Sequence, residues 1–218
     1  MRVVSVNVGL PRELIWRGEV VTTAIFKEPV DGPVRVAGVN LVGDGQADLT
    51  VHGGPDKTVY IYPAEHYPFW EAELGRDLPW GAFGENLTVE GVPLESEIAI
   101  GDRLRIGSAE LVVTQPRLPC FKLGIRFDDA AMVRRFLRAA RTGYYVRVAT
   151  EGNVAAGDDV ELFARHPAEV PVSEITRLFT RDREDVEGLR RVMAVDTLPA
   201  TWRSVFEQLV QRGEGSAP

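Results

Sequence analysis

Alternation between apolar and polar positions dominates the chain up to about residue 165. At the N-terminus Val4, Val6 and Val8 alternate with Val3, Ser5 and Asn7, which predicts a strand. GEVVTTAIFKEPV opens on β-branched residues and stops at Pro29. A turn at Asp31-Gly32-Pro33 leads into a second run marked by Val34, Val36 and Val39. Further short strands are predicted near residues 49–51, over TVYIY and over NLTV. EIAIGDRLRIGSAELVVTQP predicts three more, and YYVRVATEG and DDVELFAR one each. Helical spacing is rarer. Trp70 and Leu74 lie four apart, but Pro68 is tolerated only at a helix start, so a turn at 64–67 and a helix over 68–74 are expected, ended by Gly75. FDDAAMVRRFLRAARTG is the clearest helix, with Met132, Phe136 and Ala140 in one stripe, Asp128 or Asp129 as cap and Gly143 as stop. Many short strands with few helices indicate a mainly-β, α+β chain built on a closed or nearly closed barrel with peripheral helices.

After residue 166 the pattern switches. HPAEVPV has the character of a linker, and the remainder has helical periodicity throughout. Ile175, Leu178 and Phe179 mark one helix, with Ser173 as cap. Val186, Leu189, Val192 and Met193 mark a second, with Asp182 as cap. Trp202, Phe206, Leu209 and Val210 mark a third, starting at Thr197 and Pro199. The expected organisation is a barrel domain over 1–165, its core over about 20–163, and a three-helix module over 168–213.

Composition narrows the function classes. Apolar residues make up 44% of the 218, enough for a substantial core. The net charge is −7, which argues against a nucleic-acid partner, since such a partner needs a basic surface. The helical module is close to balanced in acids and bases, so a recognition helix is not expected there either. No window approaches the ~18 apolar residues of a membrane span, and the N-terminal apolar run is too short for a signal peptide. The expected location is the cytoplasm, with no membrane partner. A single cysteine excludes an intrachain disulfide and a cysteine-built zinc or iron–sulfur centre made by this chain alone.

That cysteine, Cys120, sits in QPRLPCFKLG between prolines and basic residues. Pro116 and Pro119 stiffen the backbone and forbid a regular helix. Arg117 and Lys122 favour thiolate over thiol. A thiolate on such a loop serves as a nucleophile, a sulfur carrier or a soft-metal ligand, although a buried core thiol is the ordinary alternative. In DGQADLTVHGGPDK, Asp44, Asp48, His52 and Asp56 fall four apart, but the glycines and Pro55 forbid the helix that would group them as ligands. Gly53 and Gly54 instead let backbone N–H groups approach an anion, with Lys57 adding charge and His52 a hydrogen bond. FGENLTVEG places Asn86 at a strand start, where its amide can give and take hydrogen bonds. Arg12 in GLPREL is either an anion ligand or a surface charge.

Taken together, HGGPDK, FGENLTVEG, GDRLRIGSAELVVTQPRLPC and the single cysteine resemble the MOSC domain, named after the C-terminal domain of molybdenum-cofactor sulfurase. The chain most resembles the stand-alone bacterial MOSC proteins of the YiiM type, in which a MOSC barrel precedes a small three-helix module. The resemblance implies a β-barrel that binds the molybdenum cofactor (Mo-molybdopterin), with Cys120 as metal ligand and catalytic residue. Arg117 and Lys122 would lie near the pterin or its phosphate, Asn86 would meet the pterin, and His52, Gly53, Gly54 and Lys57 match the HGG turn and its flank. The implied activity is reduction of small N-hydroxylated compounds, such as hydroxylaminopurine base analogues, to amines. Electrons would come from a separate flavin or ferredoxin-type reductase, for which the three-helix module is a candidate docking surface. The competing reading is a non-catalytic sulfur or cofactor carrier using Cys120. Pyridoxal phosphate, which serves enzymes fused to some MOSC domains, is not expected, because nothing beyond Lys57 suggests its site.

Overall fold

The structure, a computed structural model, describes residues 1–47 and 53–215. In chain order it forms β1 (Arg2–Val8), β2 (Arg12–Trp16), β3 (Glu19–Thr23), β4 (Glu28–Pro29), β5 (Val34–Ala37), β6 (Asn40–Leu41), β7 (Val59–Pro63), α1 (Tyr67–Leu74), β8 (Leu87–Glu90), β9 (Arg103–Ile106), β10 (Ala109–Pro116), α2 (Phe121–Phe127), α3 (Met132–Ala139), β11 (Tyr144–Thr150), β12 (Gly152–Val154), β13 (Val160–Ala164), α4 (Val172–Thr180), α5 (Val186–Met193) and α6 (Ala200–Gly215). The strand expected near 49–51 and His52 lie outside the described residues.

Eight strands form one mixed sheet in the order β13-β9-β10-β11-β7-β8-β1-β4. The ladder does not close into a full barrel. Among the described residues, the penultimate strand β1 meets the β13 end at one bridge, Arg2 to Asp159, supported by Val160 N donating to Met1 O at 2.9 Å and Val3 N donating to Asp158 O at 2.9 Å. β7 and β8 run parallel, so the chain between them crosses over, and α1 lies on that crossover. Gly75 ends α1 at φ 65°, its N–H bonded to Glu71 O at 2.8 Å, as expected of a left-handed cap.

Strand β7 shows how the pattern organises the interior. Val59 and Ile61 point into the barrel core with Val3, Val6, Leu104 and Leu111. Tyr60 and Tyr62 point the other way, into an aromatic layer with Trp70, Phe83 and Phe136 beneath α1, α2 and α3. Burying one such large apolar side chain contributes roughly 1.5–3 kcal/mol of transfer free energy. The helices after residue 170 share the barrel's core: Ile175, Leu178, Leu189, Trp202 and Phe206 belong to the same apolar cluster as the strands.

Several expectations need correction. Cys120 is followed at once by helix α2, because Pro119 restricts only itself and its predecessor, and the helix starts two residues later. Residues 97–101 are turns rather than a third strand. Their backbone pairs only briefly, with Ile100 N donating to Val170 O and Val172 N donating to Ile98 O, both at 2.9 Å. The caps of the second and first module helices also move. Asp185, not Asp182, caps α5, accepting from Gly188 N at 2.9 Å, and Ser173 lies inside α4, whose N-cap is Pro171. Arg12 opens β2, a strand the pattern did not reveal. It pairs with β3 around Arg17-Gly18, both at positive φ, and the Arg12 guanidinium lies 3.8 Å over the Phe26 ring.

Candidate functional site

Strand β10 leads directly into the site. Its register with β11 slips between Val113 and Gln115, a bulge that re-aims the side chains that follow. Thr114 Oγ1 and Gln115 Nε2 both donate to the carbonyl of Asp56, at 2.7 and 3.0 Å, and so pin the short helical turn that carries Lys57. Past Pro116 the chain turns inward at Arg117. Arg117 is only 6% exposed, and its guanidinium lies over the Tyr60 ring at 5.5 Å and the Phe136 ring at 5.3 Å. Burial opposes its charge, but the surrounding Tyr60, Tyr145 and Cys120 groups more than offset this, so it remains a cation. Its Nη1 is buried and has no hydrogen-bond partner among the described residues. Native folds rarely leave such a donor unsatisfied without reason.

Arg117 opens on a cleft of about 110 Å³ that also receives Cys120, Lys122, Lys57, Lys27 and Asn86. Cys120 is half-buried and stands in extended conformation at the head of α2. The rear of the cleft is a fixed polar lattice. Asp44 accepts from Lys27 Nζ, from Asn86 Nδ2 at 2.8 Å and from Gly9 N at 2.8 Å. Asn86 Oδ1 accepts from Tyr60 N at 3.0 Å. The amide of Asn86 is therefore largely committed to holding Asp44 and β7, which leaves it a wall rather than a reader of a ring edge. Burial lowers the pKa of Lys27 despite its ion pair with Asp44, and burial likewise lowers that of Lys57 against the pull of Asp56. Among the described residues, four cations and one carboxylate in one cleft make a positive site in an acidic chain.

The FGEN turn is required by its geometry. Gly84 takes φ 78°, and a Cβ there would stand 2.9 Å from Ile25 Cγ1, on the cleft wall. Glu85 is wholly buried and satisfied from all sides. It accepts from Tyr67 Oη, from Gly81 N at 2.9 Å, from Phe83 N at 3.1 Å and from Thr88 Oγ1 at 2.9 Å. In the HGG turn, Gly54 N donates to Gln46 Oε1 at 3.2 Å, and neither Gly53 nor Gly54 is on the cleft wall. Asp56 lies apart from Asp44, in the turn that carries Lys57.

Cys120 also borders a second pocket, of about 300 Å³, between residues 115–120 and helices α4 and α6. Lys57, Leu118, Cys120 and Tyr145 face both spaces. Sequence reading missed this pocket, and missed Lys27, Tyr60 and Tyr145. A lysine inside the apolar run AIFK was a signal for Lys27. The others depend on tertiary neighbours.

The MOSC domain model matches residues 48–161, and a YiiM-like, 3-alpha helix domain model matches residues 170–213. The chain belongs to the MOSC family. The uncharacterized protein YflK of Bacillus subtilis is 42% identical over 94% of this chain and 92% of its own length. Protein YiiM of Escherichia coli is 33% identical over 85% of this chain and 84% of its own. A protein named reductase from Gibberella moniliformis is 38% identical over 68% of this chain, which corresponds to 27% of that protein. The crystal structure of YiiM from Geobacillus stearothermophilus superposes with a TM-score of 0.80 at 30% identity, covering 96% of this chain and 98% of that one. The MOSC match takes in Asn86, Arg117, Cys120 and Lys122. Lys27 and Asp44 lie before it, so the N-terminal strands complete the cleft of this MOSC protein. Among the described residues, no helix is long and apolar enough to cross a membrane.

The donor set suits the cofactor that the MOSC resemblance implies. A buried arginine with an unused donor and three lysines match an anionic phosphate and pterin. The sulfur of Cys120 is the soft donor that molybdenum would take.

Proposed function

We propose that this MOSC protein binds the molybdenum cofactor in the cleft beside Cys120 and reduces N-hydroxylated compounds of the hydroxylaminopurine type to amines. The electrons come from a separate flavin or ferredoxin-type reductase. The observation that carries this reading is the unsatisfied Nη1 of Arg117, a buried cation lining the same cleft as the chain's only thiol. The name borne by the Gibberella relative supports a reductive chemistry.

When bound, the cofactor supplies a two-electron centre able to accept the oxygen of an N–O bond. The chain's residues do the rest. Cys120 offers its sulfur to the metal. Arg117 holds the pterin or its phosphate, and Lys57 and Lys122 add positive potential around it. Asn86 and Lys27 keep Asp44 in place, so the rear wall is rigid before any ligand arrives. The net reaction, R–NHOH with two electrons and two protons giving R–NH2 and water, balances with the electrons of the external donor.

The test is turnover. Protein purified from cells that make the cofactor, given dithionite-reduced viologen as donor, is expected to convert 6-hydroxylaminopurine to adenine, followed by chromatography. Cys120→Ser is expected to abolish this. A wild-type protein that carries the cofactor yet reduces no N-hydroxylated compound would contradict the reductase reading and leave the carrier reading in its place.

A further inference from the structure

The second pocket has a different chemistry from the cleft it adjoins. Among the described residues, the cleft is lined by four cations and a carboxylate, whereas the only charged side chain on the second pocket is Lys57, on the shared wall. Its far wall is aromatic and aliphatic and comes from the helical module: Phe179 of α4 with Trp202 and Val205 of α6. Phe179 and Trp202 meet edge to face, with ring centres 5.3 Å apart at 89°. The indole is locked, because Trp202 Nε1 donates to Gln115 Oε1 at 2.7 Å. Gln115 also holds the turn that carries Lys57, so one amide fixes both sides of the pocket. At about 300 Å³ the space is at the small end of small-molecule sites.

We propose that this pocket is the substrate subsite, taking a flat, uncharged heteroaromatic ring that carries the N-hydroxyl group, with Phe179 and Trp202 as its walls and Cys120 as the boundary it shares with the cofactor cleft. Rigid aromatic walls suit a planar ring at small entropic cost. The boundary at Cys120 brings the substituent on that ring toward the metal ligand. The three-helix module is then part of the site that selects the substrate, in place of the reductase docking role expected from sequence. This assignment rests on the reductase reading above for its choice of substrate.

The experiment fills the pocket from two positions. Val205→Trp enters from the half-buried face of α6, and Thr201→Phe enters from its exposed rim, where folding is least at risk. Calorimetric titration with adenine, an unreactive flat heteroaromatic, reads the pocket whether or not cofactor is bound. Both variants are expected to weaken adenine binding by about tenfold or more, the scale of an overpacked site. In cofactor-loaded protein they are expected to raise KM for 6-hydroxylaminopurine by a similar factor, with kcat held within about twofold, the pattern of lost uniform binding. Molybdenum content should stay at the wild-type level. Unchanged adenine affinity in a folded variant, or no adenine binding by wild type, overturns the assignment. So does loss of molybdenum from both variants, which would give the pocket to the cofactor. Absence of molybdenum from wild-type protein defeats the reductase reading alone, since the titration still decides the pocket.

Discussion

Glu85 and Arg117 are both charged side chains sealed inside the fold, and the chain treats them in opposite ways. Around Glu85, two backbone amides, a tyrosine and a threonine leave neither carboxylate oxygen without a partner. Around Arg117 there are aromatic faces, and Nη1 has no hydrogen-bond partner among the described residues. A complete network is structure: it holds the turn that feeds β8. An incomplete one at the wall of a cleft is held ready for something that arrives later. Glu85 thus shapes the MOSC cleft, whereas Arg117 is placed to grip a ligand.

The largest effect should come from the satisfied charge. Glu85→Ala strands the Tyr67 hydroxyl and the amides of Gly81 and Phe83, and should cost about 3–5 kcal/mol in denaturant titration. Arg117→Met removes a buried charge that the fold never fully satisfied. Its stability should stay within about 1 kcal/mol of wild type, while pterin content measured by mass spectrometry falls. If Arg117→Met were as destabilising as Glu85→Ala and kept its pterin, the distinction between the two would collapse. The smallest effect is on acid stability. Burial tends to raise the pKa of Glu95, but hydrogen bonds and charge from His66 outweigh it and hold the carboxyl below its ordinary 4.5. Glu95 therefore stabilises the fold above about pH 4.5, and this contribution disappears as pH falls through its lower native value. Glu85 has the opposite sign, because burial raises its pKa and protonation relieves it. Replacing Glu95 by Gln should flatten the loss of stability below pH 4.5 relative to wild type, measured by thermal melts across pH.

Much of this was legible in the order of residues, and the losses have physical causes. β1 and β7 were readable because each alternates and each buries its faces differently. β2 escaped because its strand, RELIW, belongs to an exposed ribbon with Ile15 77% exposed, so no buried face imposes a pattern. α2 escaped because its start is hidden behind Pro116 and Pro119 and Gly124 lies within it. Arg117, Cys120 and Lys122 could be found together because they are neighbours in sequence. Lys27, Asp44 and Asn86 could not be joined, because their contacts span 17 and 42 residues and exist only once the N-terminal strands close over the barrel. The aromatic pocket at Trp202 needed two parts of the chain, β10 and α6, to be seen in contact.

Metal analysis is the sharpest test of whether Cys120 and Arg117 hold a molybdenum cofactor. Wild type, Arg117→Met and Cys120→Ser would be purified from cells that make the cofactor and assayed for molybdenum and pterin together. Stoichiometric molybdenum and pterin are expected in wild type, a clear loss in Arg117→Met, and no molybdenum in Cys120→Ser, all three chains being folded. Folded wild-type protein with neither metal nor pterin, or a Cys120→Ser variant that keeps its molybdenum, would contradict that role.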